Sequence, residues 1–167
     1  KLITVENKYI TAIETALGAN LQNIVVDNED TAKSAIFALK NSGAGRATFY
    51  PIASMKAQEV TREVKEAASY RGYIGAADSL LGYDIIFGEI ISSLLGRCVV
   101  FDTIDNATAM AKALKYKIKV VTLDGQQINH GGSFTGGSVK HSSSLLSRGD
   151  EIKKLTESLD EANKKYD

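Results

Sequence analysis

The amino-acid sequence predicts a mixed α/β fold of two pseudo-repeated lobes, followed by the start of a coiled-coil helix. Short β-branched segments alternate with amphipathic ones, and the first half of the chain recurs in the second. A set of residues in the first half has counterparts in the second half at a constant distance along the chain. The first set is Ile3, Tyr9, Ile13, Ala16, Leu17 and Gly18, and the counterparts in the same order are Leu81, Phe87, Ile91, Leu94, Leu95 and Gly96. The second half is then shorter by three residues, after which the repeat resumes. Here the first set is Asp27, Asp30, Ala32, Leu39 and Lys40, and the counterparts are Asp102, Asp105, Ala107, Leu114 and Lys115. Chance similarity between two ordinary α/β units is the alternative to a duplication.

Length, composition and charge limit the class of protein. The chain has 167 residues, of which 44% are apolar, so it can bury a core of its own. Its formal net charge is zero, unlike that of a dedicated nucleic-acid binder, although a neutral total can contain a local basic patch. The single cysteine, Cys98, excludes an internal disulfide and is interpreted as a core residue. No apolar run approaches the ~20 residues of a membrane span, and we expect a soluble, cytoplasmic protein.

The elements of the first lobe follow from helix and strand signals in chain order. A helix over residues 9–17 is predicted to end at Gly18, where a left-handed residue can stop it. Asp27 and Asn28 can cap a second helix over residues 29–41. The predicted strands lie on either side of that second helix: residues 23–26, and residues 46–50 after the break at Gly43-Ala44-Gly45.

The second lobe repeats this pattern after a connecting segment. Residues 55–69 are predicted to form a helix with Val60, Val64 and Ala67 on one face, and residues 71–75 a glycine-marked joint. Helices and strands are then expected to alternate: residues 84–95, 98–101, 104–114 and 118–123. We predict three divisions of the chain: residues 1–75 for lobe one with the connecting helix, residues 76–147 for lobe two ending in the glycine-rich strand, and residues 148–167 for the start of the outgoing coiled coil.

Two glycine pairs enclose three residues that can form a short strand: Gly131-Gly132, Ser133-Phe134-Thr135 and Gly136-Gly137. Glycine in a strand costs roughly 0.5–1 kcal/mol relative to alanine. Two pairs therefore indicate either close approach of another protein segment or two sharp turns of the backbone, and spacing alone leaves both open. A Walker-type phosphate loop is not predicted, because Ser138-Val139 stands where Lys followed by Ser or Thr is required.

The last segment has the pattern of a coiled-coil helix. Ser147 and Asp150 have the spacing of a capping box at a helix start. The apolar positions after them step alternately by three and four residues: Ile152, Leu155, Leu159, Ala162 and Tyr166. Two interpretations remain, namely an amphipathic helix that packs on the domain and a coiled coil that continues beyond the chain.

Together these stretches resemble the hinge domain of SMC proteins, the chromosome-organising ATPases of cohesin, condensin and their bacterial counterparts. The resemblance covers essentially the whole chain and is of the bacterial type. Its motifs are residues 9–18, residues 46–49 before Pro51-Ile52, and Val121-Thr122-Leu123-Asp124-Gly125 leading into the glycine pairs and Ser138. The sequence departs from the family pattern at Tyr50, where an aliphatic residue is usual, and at Lys1, which no glycine-containing lead-in or incoming coiled coil precedes.

The resemblance implies a dimerisation module that acts in chromosome condensation and segregation, needs no cofactor and is not itself an enzyme. Hinges of this family are two-lobed α/β domains inserted in an antiparallel coiled coil, and lobe one of each subunit meets lobe two of the other. The bacterial type implies a homodimer associated with the chromosome, with ATP hydrolysis in the head domains of the family. Carried over residue by residue, the implied dimer interface is Gly131, Gly132, Ser133, Phe134, Thr135, Gly136 and Gly137.

Weak, sequence-independent DNA binding is a second implication of the resemblance. The strongest candidate for DNA contact is a basic stretch within residues 106–123, which contain no Asp or Glu. Tyr116 lies between its lysines and could stack on a base. The lysines are Lys112, Lys115, Lys117 and Lys119. A second group is offset by Asp150 and Glu151: Lys140, Arg148, Lys153 and Lys154. In both places the alternative is an ordinary solvated face of surface lysines.

An enzyme and a monomeric ligand-binding domain are the alternative classes of function. The two histidines, His130 and His141, belong to no cluster with metal-ligand spacing, and Ser133 lacks the strand-to-helix elbow of a hydrolase. Asp27 and Asp102 are better explained as helix caps than as a catalytic pair. The sequence therefore predicts neither catalysis nor a metal site. A monomeric α/β domain that binds a peptide or small ligand through the glycine-rich loop remains the alternative to a hinge.

Overall fold

A computed structural model describes residues 2–139 and 144–166 of the chain. The strands of this part are β1 (Ile3–Val5), β2 (Ile24–Val26), β3 (Phe49–Pro51), β4 (Tyr73–Ala76), β5 (Leu81–Tyr83), β6 (Cys98–Phe101), β7 (Lys119–Thr122), β8 (Gln127–Ile128) and β9 (Phe134–Thr135). The α-helices are α1 (Ile10–Leu17), α2 (Glu29–Ser42), α3 (Arg62–Ala67), α4 (Gly88–Leu95), α5 (Ile104–Ala113) and α6 (Arg148–Tyr166). Short 3-10 turns occupy Asn7–Tyr9, Gly18–Gln22, Ala77–Ser79 and Ile85–Phe87. The predicted mixed α/β class is confirmed.

The largest sheet has five strands in the order β4-β6-β7-β8-β9. β6 and β7 run parallel, and the other neighbours run antiparallel. All four residues of β6 are buried, because helices cover both faces of the sheet. One face packs against α5, where Met110 and Ile128 lie in one buried cluster, and the other packs against α1 and α4, through Ile13 and Leu95.

The first repeat forms a smaller unit, β2–α2–β3, whose two strands run parallel. Asn28 caps α2, since its side-chain oxygen accepts the N–H of Thr31 at 3.0 Å. This unit is poorly covered by the rest of the described chain. Ala32 is the one residue of α2 that is buried there, whereas Ile36 and Phe37 are 53% and 66% exposed.

The pairing of β1 with β5 relates the two halves of the chain. Thr4 lies opposite Gly82, which is also the residue that the repeat assigns to Thr4. An antiparallel pair in which equivalent residues face each other has a local two-fold axis, so the halves are related by pseudo-two-fold symmetry. Equivalent elements follow in the same order on each side: β1, α1, β2, α2 and β3, then β5, α4, β6, α5 and β7. The predicted repeat is confirmed in structure, while the domain boundaries stay a prediction.

Most of the predicted connecting helix over residues 55–69 is wrong, since α3 covers only Arg62–Ala67. The preceding residues are held in a non-helical path by distant partners. The N–H of Ala57 donates to the carboxylate of Glu89, and Arg97 donates to a backbone carbonyl of the same segment at 3.2 Å. Val60 is therefore 43% exposed instead of continuing a buried helical face.

Three further boundaries differ from the sequence prediction. The joint over residues 71–75 is partly strand, because β4 begins at Tyr73 directly after Gly72, whose φ is 87°. The strand predicted over residues 46–50 is regular only in β3, and the helix predicted from Asp84 begins with a 3-10 turn before α4. The last two differences concern the ends of predicted elements, whereas β4, like β1, β5 and β8, is a strand that the sequence prediction did not contain.

The terminal helix α6 does not pack its apolar stripe on the described part of the domain. Ile152, Leu155 and Leu159 are 59%, 64% and 60% exposed. The alternative of a terminal helix that packs on its own domain is therefore wrong for these positions. Ser147 precedes the helix as predicted, and its carbonyl accepts the N–H of Glu151 at 3.0 Å. Among the helices of the described residues, none combines the length and apolarity that a membrane span requires.

Candidate self-association surface and basic groups

The glycine-rich stretch forms a hairpin at one edge of the five-stranded sheet. Its two short strands pair antiparallel, with Ile128 of β8 opposite Phe134 of β9. Asn129 closes the turn, since its N–H donates to the carbonyl of Ser133 at 2.8 Å and its carbonyl accepts the N–H of Gly132 at 2.9 Å. The side-chain amide of Asn129 also donates to the Ser133 hydroxyl at 3.0 Å. The hairpin is thus held by hydrogen bonds within the chain.

The first glycine pair lies against Tyr116. The N–H of Gly131 donates to the Tyr116 carbonyl at 2.8 Å, and both glycines have positive φ, 91° and 100°. A Cβ on Gly132 would lie 3.4 Å from the ring carbon Cγ of Tyr116. Tyr116 and Lys115 have φ values of 55° and 56°, in a region that residues with side chains rarely adopt. A turn and a close approach therefore coincide at the first pair.

The second glycine pair is clamped by Gln126. Nε2 of Gln126 donates to the carbonyl of Gly137 at 3.1 Å, and Oε1 accepts the N–H of Gly137 at 2.9 Å. A Cβ on Gly136 would collide with that Oε1 atom, so a side chain at this position cannot coexist with the clamp. The side-chain amide of Gln126 takes the place of a backbone partner for the segment that leaves the hairpin.

The sequence allowed two interpretations of the glycines, close approach of another segment and sharp turns, and both hold within one chain. The groups that come close to the glycines are Tyr116 and Gln126. The assignment of residues 131–137 to a dimer interface stays a prediction. Two observations are compatible with it. Phe134 is 54% exposed, and β9 has no further strand on its outer side within the described part of the chain. This unpaired side is called the β9 edge below.

A second unpaired edge lies in the β2–α2–β3 unit. Residues 44–48 lead into β3 and are all exposed. The carbonyl of Thr48 accepts the N–H of Ile24 in β2 at 2.9 Å. Because backbone groups alternate sides along a strand, those of Ala47 and Phe49 point away from β2. On that side no strand of the described chain pairs with them, and we call it the β3 edge.

The four lysines of the first basic group differ in exposure and in the partners that the structure gives them. Lys112 and Lys115 are exposed at the end of α5. Lys117 pairs with a carboxylate of α3 at 3.0 Å. Lys119 is half-buried, and its Nζ donates to the carbonyl of Ala16 at 2.8 Å, at the C-terminal end of α1 where a cation is stabilising. The assignment of these lysines to DNA binding stays a prediction. Two of them, Lys117 and Lys119, already have partners within the protein.

The second basic group is only partly described. Arg148, Lys153 and Lys154 are exposed along α6, among acidic residues of the same turns, whereas Lys140 lies outside the described residues. The stacking role considered for Tyr116 is restricted, because one face of its ring lies against Gly132.

Features that resemble enzyme sites have structural explanations. The N-cap side chains of α2 and α5 are Asn28 and Thr103, so Asp27 and Asp102 each stand one residue before the cap instead of being the cap. Burial raises the pKa of the Cys98 thiol to about 12, which suits a core residue and not a nucleophile. In the described chain, no three His, Cys, Asp or Glu side chains come together as a metal site, and His141 lies outside it.

The structure also reveals anchoring residues that sequence reasoning missed. Besides Tyr116 and Gln126, Glu14 of α1 holds the segment that leads into α6. A carboxylate oxygen of Glu14 accepts the N–H of Leu146 at 2.7 Å and the hydroxyl of Ser144 at 2.9 Å. Leu146 is 6% exposed and packs in the cluster between α1 and α4. These partners are distant in sequence from Glu14, so no local pattern announces them.

Proteins of known sequence are similar to this chain along nearly its whole length. Residues 1–111 match the family of the SMC proteins flexible hinge domain. The chromosome partition protein Smc of Bacillus subtilis (strain 168) is 39% identical over 167 residues, which are 99% of this chain and 14% of that protein. Its counterpart in Desulfitobacterium hafniense (strain Y51) is 41% identical over 161 residues, 96% of this chain and 13% of that protein. The chain thus spans about one seventh of the length of these relatives.

Solved structures agree with the fold. The hinge domain of the Geobacillus stearothermophilus SMC protein, described as an asymmetric dimer, matches with a TM-score of 0.82 and 41% identity over 98% of this chain and 66% of that one. The Pyrococcus furiosus SMC hinge domain matches with a TM-score of 0.66 and 30% identity over 86% of this chain and 76% of that one. The chain therefore belongs to the family of SMC hinge domains.

Proposed function

We propose that this chain is a homodimerisation hinge that joins two coiled-coil arms of a chromosome partition protein. The observation that carries the proposal is that the β9 edge and the β3 edge, two of the outer strand edges that no strand of the described chain pairs, lie in a chain with pseudo-two-fold symmetry. An unpaired edge presents backbone N–H and C=O groups that can pair with a strand of another chain. The β9 edge of one copy fits the β3 edge of another, and a two-fold axis forms this contact twice.

The relatives support this proposal. The Geobacillus hinge domain, which is 41% identical to this chain, is described as an asymmetric dimer, which supports self-association. The exposed stripe of Ile152, Leu155 and Leu159 on α6 supports the arm function, because a seam of this spacing is buried in a coiled coil by a second helix. A hinge with arms accounts for the unpaired edges and for the exposed stripe together.

Sedimentation equilibrium over a wide concentration range tests the proposal. A particle of twice the chain mass that persists on dilution is the expected result. A folded monomer at every concentration would contradict it and would favour the alternative of a monomeric domain that binds a peptide or small ligand through the glycine loop. Circular dichroism on the same samples separates a folded monomer from an unfolded chain.

We further propose weak, sequence-independent DNA binding centred on Lys112 and Lys115. The exposure of both side chains and the absence of acidic residues from residues 106–123 support it. Because phosphate contacts release counterions, affinity should fall as salt rises. The variant Lys112→Gln/Lys115→Gln should weaken the mobility shift of single-stranded DNA and reduce its salt dependence. A matched variant on α6, Lys153→Gln/Lys154→Gln, tests the second basic group. If the parent chain gives no mobility shift of single-stranded DNA at low salt, DNA binding by both basic groups is dismissed.

We propose that the whole protein acts at the chromosome, in the cytoplasm, and the relatives' name, chromosome partition protein Smc, supports the chromosomal part. We propose that ATP hydrolysis belongs to parts of the whole protein other than residues 1–167 and that the hinge binds no cofactor. A fluorescent fusion of the whole protein is expected to coincide with the nucleoid, and a diffuse signal would contradict chromosome association.

A further inference from the structure

An apolar cleft of 190 Å³ lies between the first lobe and α4. The first lobe lines it with Leu17 of α1 and Val25 of β2, and α4 lines it with Ile91 and Leu94. Leu17 and Ile91 are each 6% exposed, whereas Val25 and Leu94 are half-buried. Leu2, at the start of the described chain, also lines the cleft and is 50% exposed. The two lobes therefore leave an apolar gap where they meet.

The backbone of β2 has free hydrogen-bonding groups beside this cleft. Its first and last residues turn theirs toward β3, since the N–H of Ile24 donates to a carbonyl at 2.9 Å and the carbonyl of Val26 accepts an N–H at 2.8 Å. Because backbone groups alternate sides along a strand, the N–H and C=O of Val25 point away from β3. No strand of the described chain pairs with that side, which we call the β2 edge. Val25 is half-buried, and unpaired backbone groups away from water cost free energy.

The second repeat shows what occupies the equivalent place. Val100 of β6 corresponds to Val25, and there β4 pairs antiparallel with β6, with Gly75 opposite Val100. The contact continues beyond the strands, since the N–H of Asp102 donates to the carbonyl of Gly72 at 2.9 Å. Val100 is consequently fully buried. Within the described chain, the first repeat has no strand equivalent to β4.

The side chain of Ile74 shows what the cleft lacks. Ile74 belongs to β4 and packs against the buried cluster that holds α1 on β6, which includes Ile13 and Val100. The repeat exchanges α1 and α4, because Ile13 corresponds to Ile91. The cleft beside Ile91 is therefore the counterpart of the place that Ile74 helps to fill in the second lobe.

We propose that the β2 edge and the cleft bind an extended strand with the pattern of β4, antiparallel to β2, with an apolar side chain at the position of Ile74. In the whole protein this strand comes from the residues that adjoin Lys1 on its N-terminal side. Leu2 lines the cleft, so the chain already reaches the site. Its counterpart, Leu80, follows β4 after a single 3-10 turn, which gives the same short distance along the chain. The β3 edge lies on the other side of β3, so this site does not depend on the proposed dimer.

A peptide with the sequence of residues 71–77 tests the site, because it reproduces β4 without the rest of the fold. It is titrated into the isotope-labelled chain and followed by nuclear magnetic resonance. Saturable shifts are expected at the amide of Val25 and the methyl groups of Leu94, with slower exchange of the Val25 amide hydrogen. One matched control peptide carries Gly75→Pro, which removes a pairing N–H, and another carries Ile74→Asn, which puts a polar amide in an apolar cleft. Each should bind roughly 10-fold more weakly or worse.

A chain that includes the residues preceding Lys1 in the whole protein tests the source of the strand. The Val25 amide of this longer chain should exchange more slowly than that of the chain that begins at Lys1. The peptide should no longer shift it, because the site is already filled. Equal peptide affinity of the two chains would overturn the assignment of the strand to the same protein chain.

The remaining outcomes concern the site itself. The absence of a saturable shift at Val25 and Leu94 in the chain that begins at Lys1 would overturn the proposal. Equal binding of the Gly75→Pro peptide would also overturn it, because strand pairing requires the N–H that proline lacks. Neither result bears on the proposed dimer, which sedimentation equilibrium tests separately.

Discussion

The side-chain amide of Gln126 pairs with the peptide group of Gly137 in both directions. It donates to the carbonyl at 3.1 Å and accepts the N–H at 2.9 Å, as a strand neighbour would. This pairing fixes the course of the chain immediately after β9. Gln126 therefore positions the edge that we propose to bind a second copy, without itself lying on that edge.

Replacing Gln126 by methionine keeps the size of the side chain and removes both hydrogen bonds. We expect the hinge to remain folded, with a loss of about 1–2 kcal/mol in the free energy of unfolding. Exchange of the Gly137 amide hydrogen should accelerate, and the dimer should dissociate more readily. Hydrogen-exchange mass spectrometry of this segment and sedimentation are the measurements. Gln22→Met, at an exposed glutamine outside the hairpin, is the control, and equal exchange of the Gly137 amide in both variants would contradict a positioning role.

Alanine at Gly136 is expected to disrupt the clamp, because the new Cβ would meet Oε1 of Gln126. The effect should depend on that side chain. Gly136→Ala should destabilise the parent chain, but should cost much less in a Gln126→Ala background, where the obstructing atoms are gone. Urea unfolding of the four chains measures this coupling. Strictly additive free energies would show that Gly136 serves another purpose.

Replacement of Glu14 by alanine should loosen the junction between α1 and α6. It leaves the N–H of Leu146 and the hydroxyl of Ser144 without their carboxylate acceptor. A cost of about 1–3 kcal/mol in the free energy of unfolding is expected for such part-buried groups. Glu151→Ala, an exposed substitution on α6 itself, is the control. Thermal unfolding followed by circular dichroism compares the two, and equal stability would contradict an anchor at Glu14.

Acid should destabilise the start of α5 through Asp102. A side-chain hydrogen bond from Asn106 holds the pKa of Asp102 below its ordinary value of 3.8. A carboxyl whose pKa is lowered by folding contributes stability that is fully present above the unfolded value and is lost as pH falls through the folded value. Asp102→Asn should therefore flatten the loss of stability below about pH 4, and an unchanged pH profile would contradict this role of Asp102. Urea unfolding across this pH range decides between these outcomes.

Local signals in the sequence predicted the parts of the fold that local interactions determine. Asn28 caps α2 because its side chain reaches an N–H three residues away, and β6 matches its predicted bounds because it is apolar throughout and largely β-branched or aromatic. The repeat was visible because equivalent core positions keep their spacing. These features need no knowledge of the partners that lie far along the chain.

Long-range partners explain what the sequence did not reveal. Residues 56–61 have a helical pattern but are held non-helical by Glu89, a residue of α4. Lys119 belongs to a run of lysines, yet its Nζ donates to a carbonyl of α1, which spacing cannot indicate. The glycine pairs were recognised as a place of close approach, but the atoms that approach, from Tyr116 and Gln126, depend on the tertiary fold.

The most direct test of the proposed hinge is a search for contacts between the two edges across subunits. A dimer reassembled from equal parts of ¹⁵N-labelled and ¹³C-labelled chains gives isotope-filtered nuclear Overhauser effects only between subunits. We predict such effects between residues 134–135 of one copy and residues 45–49 of the other, in an antiparallel pattern. A dimer whose intersubunit effects arise elsewhere, with both edges silent, would contradict the edge-to-edge hinge.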